Sequence, residues 1–324
     1  MPEAALPQIA LAETGRMTTR LGFGCSGLMG GLSERESLRL LDVAYDAGIR
    51  HFDVAPSYGY GQAEGCLGKF LRGKREHVTV TTKYGILAPR HASALDWVRR
   101  SVRPAVHLLA RGVPSIRQRA ARVAASWKSS ATFSVAEAEA SLLQSLRALG
   151  TEAVDVWLLH EASAADLADP ALLDFLQEQV RQGRIGTFGV GSDVEKIPAL
   201  WQERRPYCRV VQFDWPGWQR AEPEYSGAFR IHHRVWNGQG VRLAERLERD
   251  AVLCQRWSEA LELDLGQREN LATLLLNSAL VAHPGAIVLF SSRTPAHILA
   301  NARSAGDPGW SLRAECFHQL SGAR

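Results

Sequence analysis

Short, nearly continuous apolar runs alternate with longer amphipathic stretches from about residue 21 to the end of the chain. Val154–His160 (VDVWLLH), Arg209–Trp215 (RVVQFDW) and Ala286–Phe290 (AIVLF) are the clearest runs. Each has the length of a strand and is apolar on both faces, as a strand must be when helices cover it front and back. Leu21–Cys25, Ile49–Ala55, His77–Lys83, Thr187–Ser192 and Phe229–Trp236 complete a set of eight strand candidates. Helical segments separate most of them. The alternation predicts a parallel sheet, and eight units of it predict an α/β fold of the (β/α)8 barrel type.

The helix starts are written into the chain. Ser33-x-x-Glu36 and Ser134-x-x-Glu137 read as capping boxes, in which each side chain satisfies a backbone N–H that the helix cannot. Leu38, Leu41 and Tyr45 share one face of the first helix, and Gly48 is placed to end it. Ala138, Leu142, Leu146 and Leu149 form the apolar stripe of the second, closed by Gly150. Asp169-Pro170 supplies an N-cap and a first-turn proline for a helix running to Gly183. Further helices are predicted at Ala63–Leu71, near Val194–Gln202, over Arg242–Leu263 as one long region, over Glu269–Val281, and from Pro295. GFGCSG near the start is too irregular for the glycine turn of a doubly wound dinucleotide fold, which excludes that architecture.

The 324 residues accommodate one barrel, which needs roughly 250, plus an insertion. We therefore read residues 1–324 as a single barrel domain. An apolar content of 46% excludes disorder for most of the chain. No run approaches the roughly 20 apolar residues of a membrane span, and the N-terminus lacks the pattern of a secretory signal. The five cysteines are scattered without a CxxC pair, so neither a disulfide framework nor a metal site is expected, and a cytoplasmic location is.

Charge is unevenly placed. Residues 86–133 hold eight Arg and one Lys against a single acid, Asp96, although the whole chain carries only +4. Apolar residues such as Trp97, Val106, Leu108 and Trp127 are interleaved, and Pro104 and Pro114 break the segment into two or three short helices. It reads as a packed cap or active-site lid following the third strand. No nucleic-acid-binding motif accompanies the arginines. As an unusually long connection it is expected to wall the substrate pocket.

In a barrel of this kind chemistry sits at the C-terminal ends of the strands. Asp53 lies late in the second strand, Tyr58 in the loop beyond it, Lys83 at the end of the third and His160 at the end of the fourth. Each alone has an ordinary structural explanation. Together they make a logical set. A tyrosine is a poor acid near neutrality, a neighbouring ammonium lowers its pKa, and a carboxylate holds that ammonium charged and oriented. The phenol can then protonate a carbonyl oxygen while the imidazole fixes the position of that oxygen. The hydride must come from a cofactor, because no side chain supplies one.

At these residues the sequence resembles the aldo-keto reductase family. The matching stretches are LGFGCSGLMG, DAGIRHFDVAPSYGYGQAEGCLGKFL, VTVTTKYG, SLLQSLRALGTEAVDVWLLHE, GRIGTFGVGS, VVQFDW and SSRTPAHILAN, in family order across about Leu21–Arg303. The resemblance implies NAD(P)-dependent interconversion of aldehydes or ketones with alcohols, sugar hemiacetals included. It implies Tyr58 as general acid–base, Lys83 and Asp53 as its tuning pair, and His160 as substrate orienter. For the cofactor, NADPH or NADH, it implies Gly24 and Cys25 near the first strand, and Ser192, Asp193 and Gln212 at the nicotinamide carboxamide. It also implies Trp236 as the stacking aromatic, and Ser292, Arg293 and Asn301 along the phosphates and adenine. Asp193 stands where the family has Asn, which removes an amide donor. Arg293 is the candidate guanidinium for a 2′-phosphate, which leans the expectation towards NADPH. The expected partner is a small carbonyl or alcohol, with no nucleic acid and no integral membrane association. The competing reading is a nucleotide-binding regulatory subunit of the same fold. A metal-dependent hydrolase is disfavoured because His232 and His233, adjacent in a strand, face opposite sides.

Overall fold

The structure is a computed structural model, and it describes residues 5–87, 132–215, 217–218 and 225–322. The basic insertion predicted to form helices and a pocket wall lies, for residues 88–131, outside the described residues.

Eight parallel strands close into a barrel, each hydrogen-bonded to its sequence neighbours and the last to the first. They are β3 (Leu21–Gly24), β4 (His51–Asp53), β5 (Thr79–Tyr84), β6 (Val154–His160), β7 (Ile185–Gly191), β8 (Val210–Asp214), β9 (Phe229–His233) and β10 (Ala286–Phe290). The (β/α)8 expectation is met. The early segment adds a two-stranded hairpin that the sequence pattern did not reveal, β1 (Gln8–Ala10) against β2 (Met17–Thr19). Its turn carries Leu11 into the barrel interior, where Leu11 packs with Val156, Leu158, Val210, Ile231, Ile287 and Leu289. Glu13 accepts from Thr187 Oγ1 and Arg209 Nη1. The hairpin therefore seals the N-terminal end of the barrel.

The helices are α1 (Glu34–Asp46), α2 (Ala63–Leu71), α3 (Val135–Leu149), α4 (Pro170–Arg181) and α5 (Ile197–Glu203) in the first part of the chain. They continue with α6 (Gln239–Arg249), α7 (Ala251–Leu261), α8 (Arg268–Ala282), α9 (Pro295–Gly306) and α10 (Pro308–Ser321). The reciprocal capping box at Ser33 and Glu36 forms. At the second box Ser134 caps Glu137 N, and the Glu137 carboxylate reaches Thr132 N and Tyr84 Oη. Gly150 ends α3 in the left-handed conformation, where a residue without Cβ meets no penalty. The long region expected over Arg242–Leu263 is two helices instead. Asp250 breaks it at φ −115° and caps α7 by accepting from Leu253 N at 2.9 Å. That local bond is the alternative that Asp offers to helical continuation. The main core lies between barrel and helices, with Phe23, Phe52, Leu41, Leu67 and Phe70 fully or almost fully buried. Among the described residues no helix is long and apolar enough to cross a membrane.

Candidate active site

The alternation of a strand decides which residues reach the barrel mouth. Phe52 packs outward on Phe70, so Asp53 points inward. On β5, Tyr84 packs outward against Trp157, so Lys83 points inward. Lys83 Nζ donates to Asp53 Oδ1 at 2.5 Å and to the Val54 carbonyl at 3.2 Å. It lies 5.3 Å from the centre of the Tyr58 ring. Asp53 Oδ2 accepts from Gln212 Nε2 at 2.7 Å, across the barrel from β8. Lys83 is 2% exposed and Asp53 4%, so these charges exist only because they are paired.

Burial lowers the Lys83 pKa, and the Asp53 carboxylate and the Tyr58 oxygen more than reverse that, holding the ammonium above the usual lysine range. For Tyr58 the balance runs against the sequence expectation. Burial raises its pKa, the Lys83 ammonium lowers it, and burial wins. The phenol is therefore firmly protonated at neutral pH, with Lys83 as the group that keeps its proton transferable.

His160 ends β6, and its place is set by a close approach. Gly85, two residues past Lys83, has φ +141°, and a Cβ there would lie 2.1 Å from the His160 carbonyl. Only glycine lets β5 and β6 run this close at their ends. A second glycine is equally constrained. Gly59, beside Tyr58, has φ +57°, and a Cβ would meet the Leu28 carbonyl and Met29 Cβ at 2.6 Å. The Tyr58 turn thus packs directly on the loop that follows β3.

These side chains line a cleft of about 1020 Å³. Asp53, Tyr58, Lys83 and His160 share its lining with Gly24, Ser192, Gln212, Trp236, Ser292 and Asn301. Three expected residues do not line it. Cys25 is fully buried in the core, its thiol on the Phe23 carbonyl and its pKa pushed up by burial. Asp193 turns to the rim and pairs with Arg234 at 3.1 Å. Arg293 lies over the Gly27–Gly31 loop, where a Cβ on Gly31 would be 3.6 Å from its Nη1. Trp236 is past the end of the strand that was expected to carry it. β9 stops at His233 because Arg234 adopts φ +56°.

Sequence reasoning missed several residues of the cleft. His233 points in while His232 packs outward on Phe213. Burial, then Arg234 and Lys83, lower the pKa of His233 to about 3, so its ring is neutral. Arg268 and Thr273 come from α8, and Ser26 and Ser291 from the loops after β3 and β10. Strand alternation would have identified His233 had the end of β9 been known. Tyr60, Glu161 and Arg234 also line the cleft, and all three are non-glycine residues with positive φ, of 59°, 62° and 56°. Left-handed backbone costs a residue with a Cβ roughly 1–2 kcal/mol, and such outliers concentrate at functional sites.

Comparison with known proteins agrees with this architecture. The family model described as the aldo/keto reductase family matches residues 20–225. The chain is 34% identical over 200 residues to a D-threo-aldose 1-dehydrogenase of Pseudomonas sp., covering 57% of this chain and 53% of that one. It is 44% identical over 81 residues to a pyridoxal 4-dehydrogenase of Microbacterium luteolum, 24% of either chain. The matched stretches thus span about half and about a quarter of those relatives. Among solved structures, the holo form of an aldo-keto reductase from Bacillus halodurans superposes with a TM-score of 0.65 at 18% identity, covering 96% of this chain and 95% of that one. An aldo-keto reductase from Klebsiella pneumoniae in complex with NADPH gives 0.60 at 20% identity, covering 95% and 90%. With the family model spanning well over half its length, the chain belongs to the aldo/keto reductase family.

Proposed function

We propose that the protein is an NAD(P)-dependent oxidoreductase that interconverts an aldehyde or ketone with its alcohol, cyclic sugar hemiacetals included. The observation that carries this reading is the Lys83 ammonium, fixed on Asp53 at 2.5 Å and 5.3 Å from the centre of the Tyr58 ring, at the floor of a cleft. Nothing structural requires a buried lysine to present a phenol to solvent.

The cleft fits a dinucleotide. Ser291, Ser292, His297 and Asn301 line it, and α9 begins beside them with no acid in its first turn. An acid-free helix start beside hydroxyls suits phosphate. Ser192 and Gln212 are the residues for the nicotinamide carboxamide. Gln212 gives an N–H to Asp53, which leaves its Oε1 to accept. His233 and Trp236 are the aromatic rings beside them. When bound, the nicotinamide supplies the hydride donor or acceptor.

The chain's own groups supply the rest. In reduction Tyr58 donates its proton to the carbonyl oxygen, and Lys83, held by Asp53, stabilises the phenolate left behind. In oxidation the step runs in reverse and needs Tyr58 as its phenolate, stabilised by Lys83, to take the hydroxyl proton, and a cyclic hemiacetal becomes a lactone. His160 hydrogen-bonds the same oxygen and sets its distance from Tyr58. The relatives named as dehydrogenases of an aldose and of pyridoxal support both the reaction class and ring-shaped substrates.

A fluorescence titration with NADPH and NADH, followed by turnover on aldehydes and aldoses, tests the proposal. Nucleotide binding with turnover that disappears in Tyr58→Phe supports it. Binding without turnover would favour the regulatory-subunit reading. Absence of binding would remove both.

A further inference from the structure

Two of the left-handed residues at the mouth stand on either side of β5, the strand that carries Lys83. Tyr60 lies in the loop after β4, and Glu161 directly follows β6. Both neighbouring glycines of Tyr60 also have positive φ, so three consecutive residues turn left-handed and carry the Tyr60 ring into the lining of the cleft. At Glu161 the same conformation breaks the strand alternation immediately after His160, and the carboxylate joins His160 in the cleft lining. Glu161 Oε2 is engaged by Lys196 Nζ at 2.7 Å and by Ser192 Oγ at 3.3 Å. Oε1 has no hydrogen-bond partner among the described residues. Glu161 thus lines the cleft with one carboxylate oxygen engaged and the other able to accept from a further donor.

We infer that Tyr60 and Glu161 form the substrate-selecting wall of this site, and that the substrate is a polyhydroxylated ring, the closed form of an aldose. The inference rests on the oxidoreductase reading above. A sugar ring has one face of C–H groups and an edge of hydroxyls. The C–H face lies on the Tyr60 ring and a ring hydroxyl donates to Glu161 Oε1. A plain apolar aldehyde would remove water from that oxygen and return nothing, so it is rejected. Selection by a site built for a hydroxyl is stronger than selection by pocket shape, because the analogue without the hydroxyl leaves a buried polar group unpaired. The alternative role, a purely structural clasp between Glu161, Ser192 and Lys196, does not involve Tyr60 and does not require an open oxygen.

The test uses the full chain as wild type, Tyr60→Asn and Glu161→Gln. Asparagine tolerates the left-handed turn, so Tyr60→Asn keeps the backbone while removing the ring. Steady-state kinetics are measured on aldopentoses and aldohexoses and on propanal, with NADPH affinity by fluorescence and melting temperature alongside. The wild type is expected to prefer an aldose. Each variant is expected to lose about tenfold or more in kcat/KM for it, mainly through KM, as follows from losing a charge-assisted hydrogen bond or a ring contact. The aldose-to-propanal ratio falls with it, while NADPH affinity and melting temperature move much less. Equal losses on aldose and propanal, an NADPH dissociation constant rising as far as the aldose KM, or a melting temperature falling in step with activity would overturn the inference. So would a wild type that prefers propanal while still turning over. A wild type that turns over no carbonyl or alcohol would overturn the oxidoreductase reading itself, and this inference with it.

Discussion

Two aspartates flank β5 on its two sides, Asp53 opposite Thr81 and Asp155 on the Val80 amide, and they are used in opposite ways. Asp53 on β4 and Asp155 on β6 are each 4% exposed. Both are paired with cations, as buried carboxylates must be. Asp155 is saturated. Its Oδ1 takes Arg16 at 2.6 Å, and its Oδ2 takes Arg75 at 3.0 Å and the Val80 amide at 2.7 Å. Arg16 then donates to the Glu76 and Val78 carbonyls, so this cluster ties the N-terminal hairpin to the closed end of the barrel. Asp53 has a single cation, and that cation stands 5.3 Å from the centre of the Tyr58 ring at the cleft. A buried charge becomes structural when all its donors face inward, and chemical when one is left facing a cleft.

The contrast is open to direct attack. Replacement of Tyr58 by Phe removes only a hydroxyl, and turnover should fall by about 10²–10⁴-fold, the usual contribution of a positioned general acid. Its melting temperature should stay near the wild-type value, since the ring and its packing remain. Retained turnover would place the proton donor elsewhere.

On the other side of β5, Asp155→Ala removes the carboxylate that Arg16, Arg75 and the Val80 amide share. It should cost about 3–5 kcal/mol in urea unfolding, the range for breaking a buried pair, with kcat/KM unchanged. A large activity loss in a folded Asp155→Ala protein would erase the distinction between the two clusters.

Acid titration sharpens the comparison, because a third buried group sits below Asp53. His51 is held between Thr79 Oγ1 at 2.9 Å and Thr81 Oγ1 at 3.3 Å, and burial lowers its pKa to about 4. Its folded pKa lies below the unfolded value, so its stabilising contribution is complete above about pH 6.5 and is lost as the pH falls towards 4. The shift corresponds to about 3 kcal/mol. Lys83 and Tyr58 act in the other direction. Their folded pKa values are raised, so their contribution holds below about pH 10 and fades above it. Stability should therefore peak across neutral pH, and a His51→Asn variant should lose less of it between pH 6.5 and 4. An unchanged acid limb in that variant would assign the loss to other groups.

The smallest effect is expected where no burial is involved. Lys69 and Glu34 form an ion pair at 2.7 Å with both side chains nearly half exposed. Lys69→Ala should change stability by less than about 1 kcal/mol, and added salt should erase even that. A larger effect would mean that burial is not what separates the strong pairs from the weak ones.

What the chain alone determined is whatever depends on neighbours a few residues apart. The runs at Val154–His160 and Ala286–Phe290 became strands with those bounds. Ser33, Asp169 and Gly150 capped the helices they were expected to cap. Asp53, Lys83 and His160 were legible because they lie at or next to the last residue of a strand, and Tyr58 because it lies in the loop that follows one. The strands of the hairpin were not assignable because three-residue strands carry too little periodicity to read. α10 escaped because its buried residues, Ala314 and Phe317, are few.

The rest was decided by the tertiary structure. Gln212 meets Asp53 only because the barrel closes. Cys25 turned into the core and Arg293 onto a glycine loop, since the side a residue faces at a strand end depends on register with its neighbours. The net pKa of Tyr58 followed from how deeply the fold buried it, a quantity no local pattern encodes. Tyr60, Glu161 and Arg234 took a backbone conformation that their own side chains disfavour. Only packing from the rest of the barrel can hold three such residues in place at one cleft.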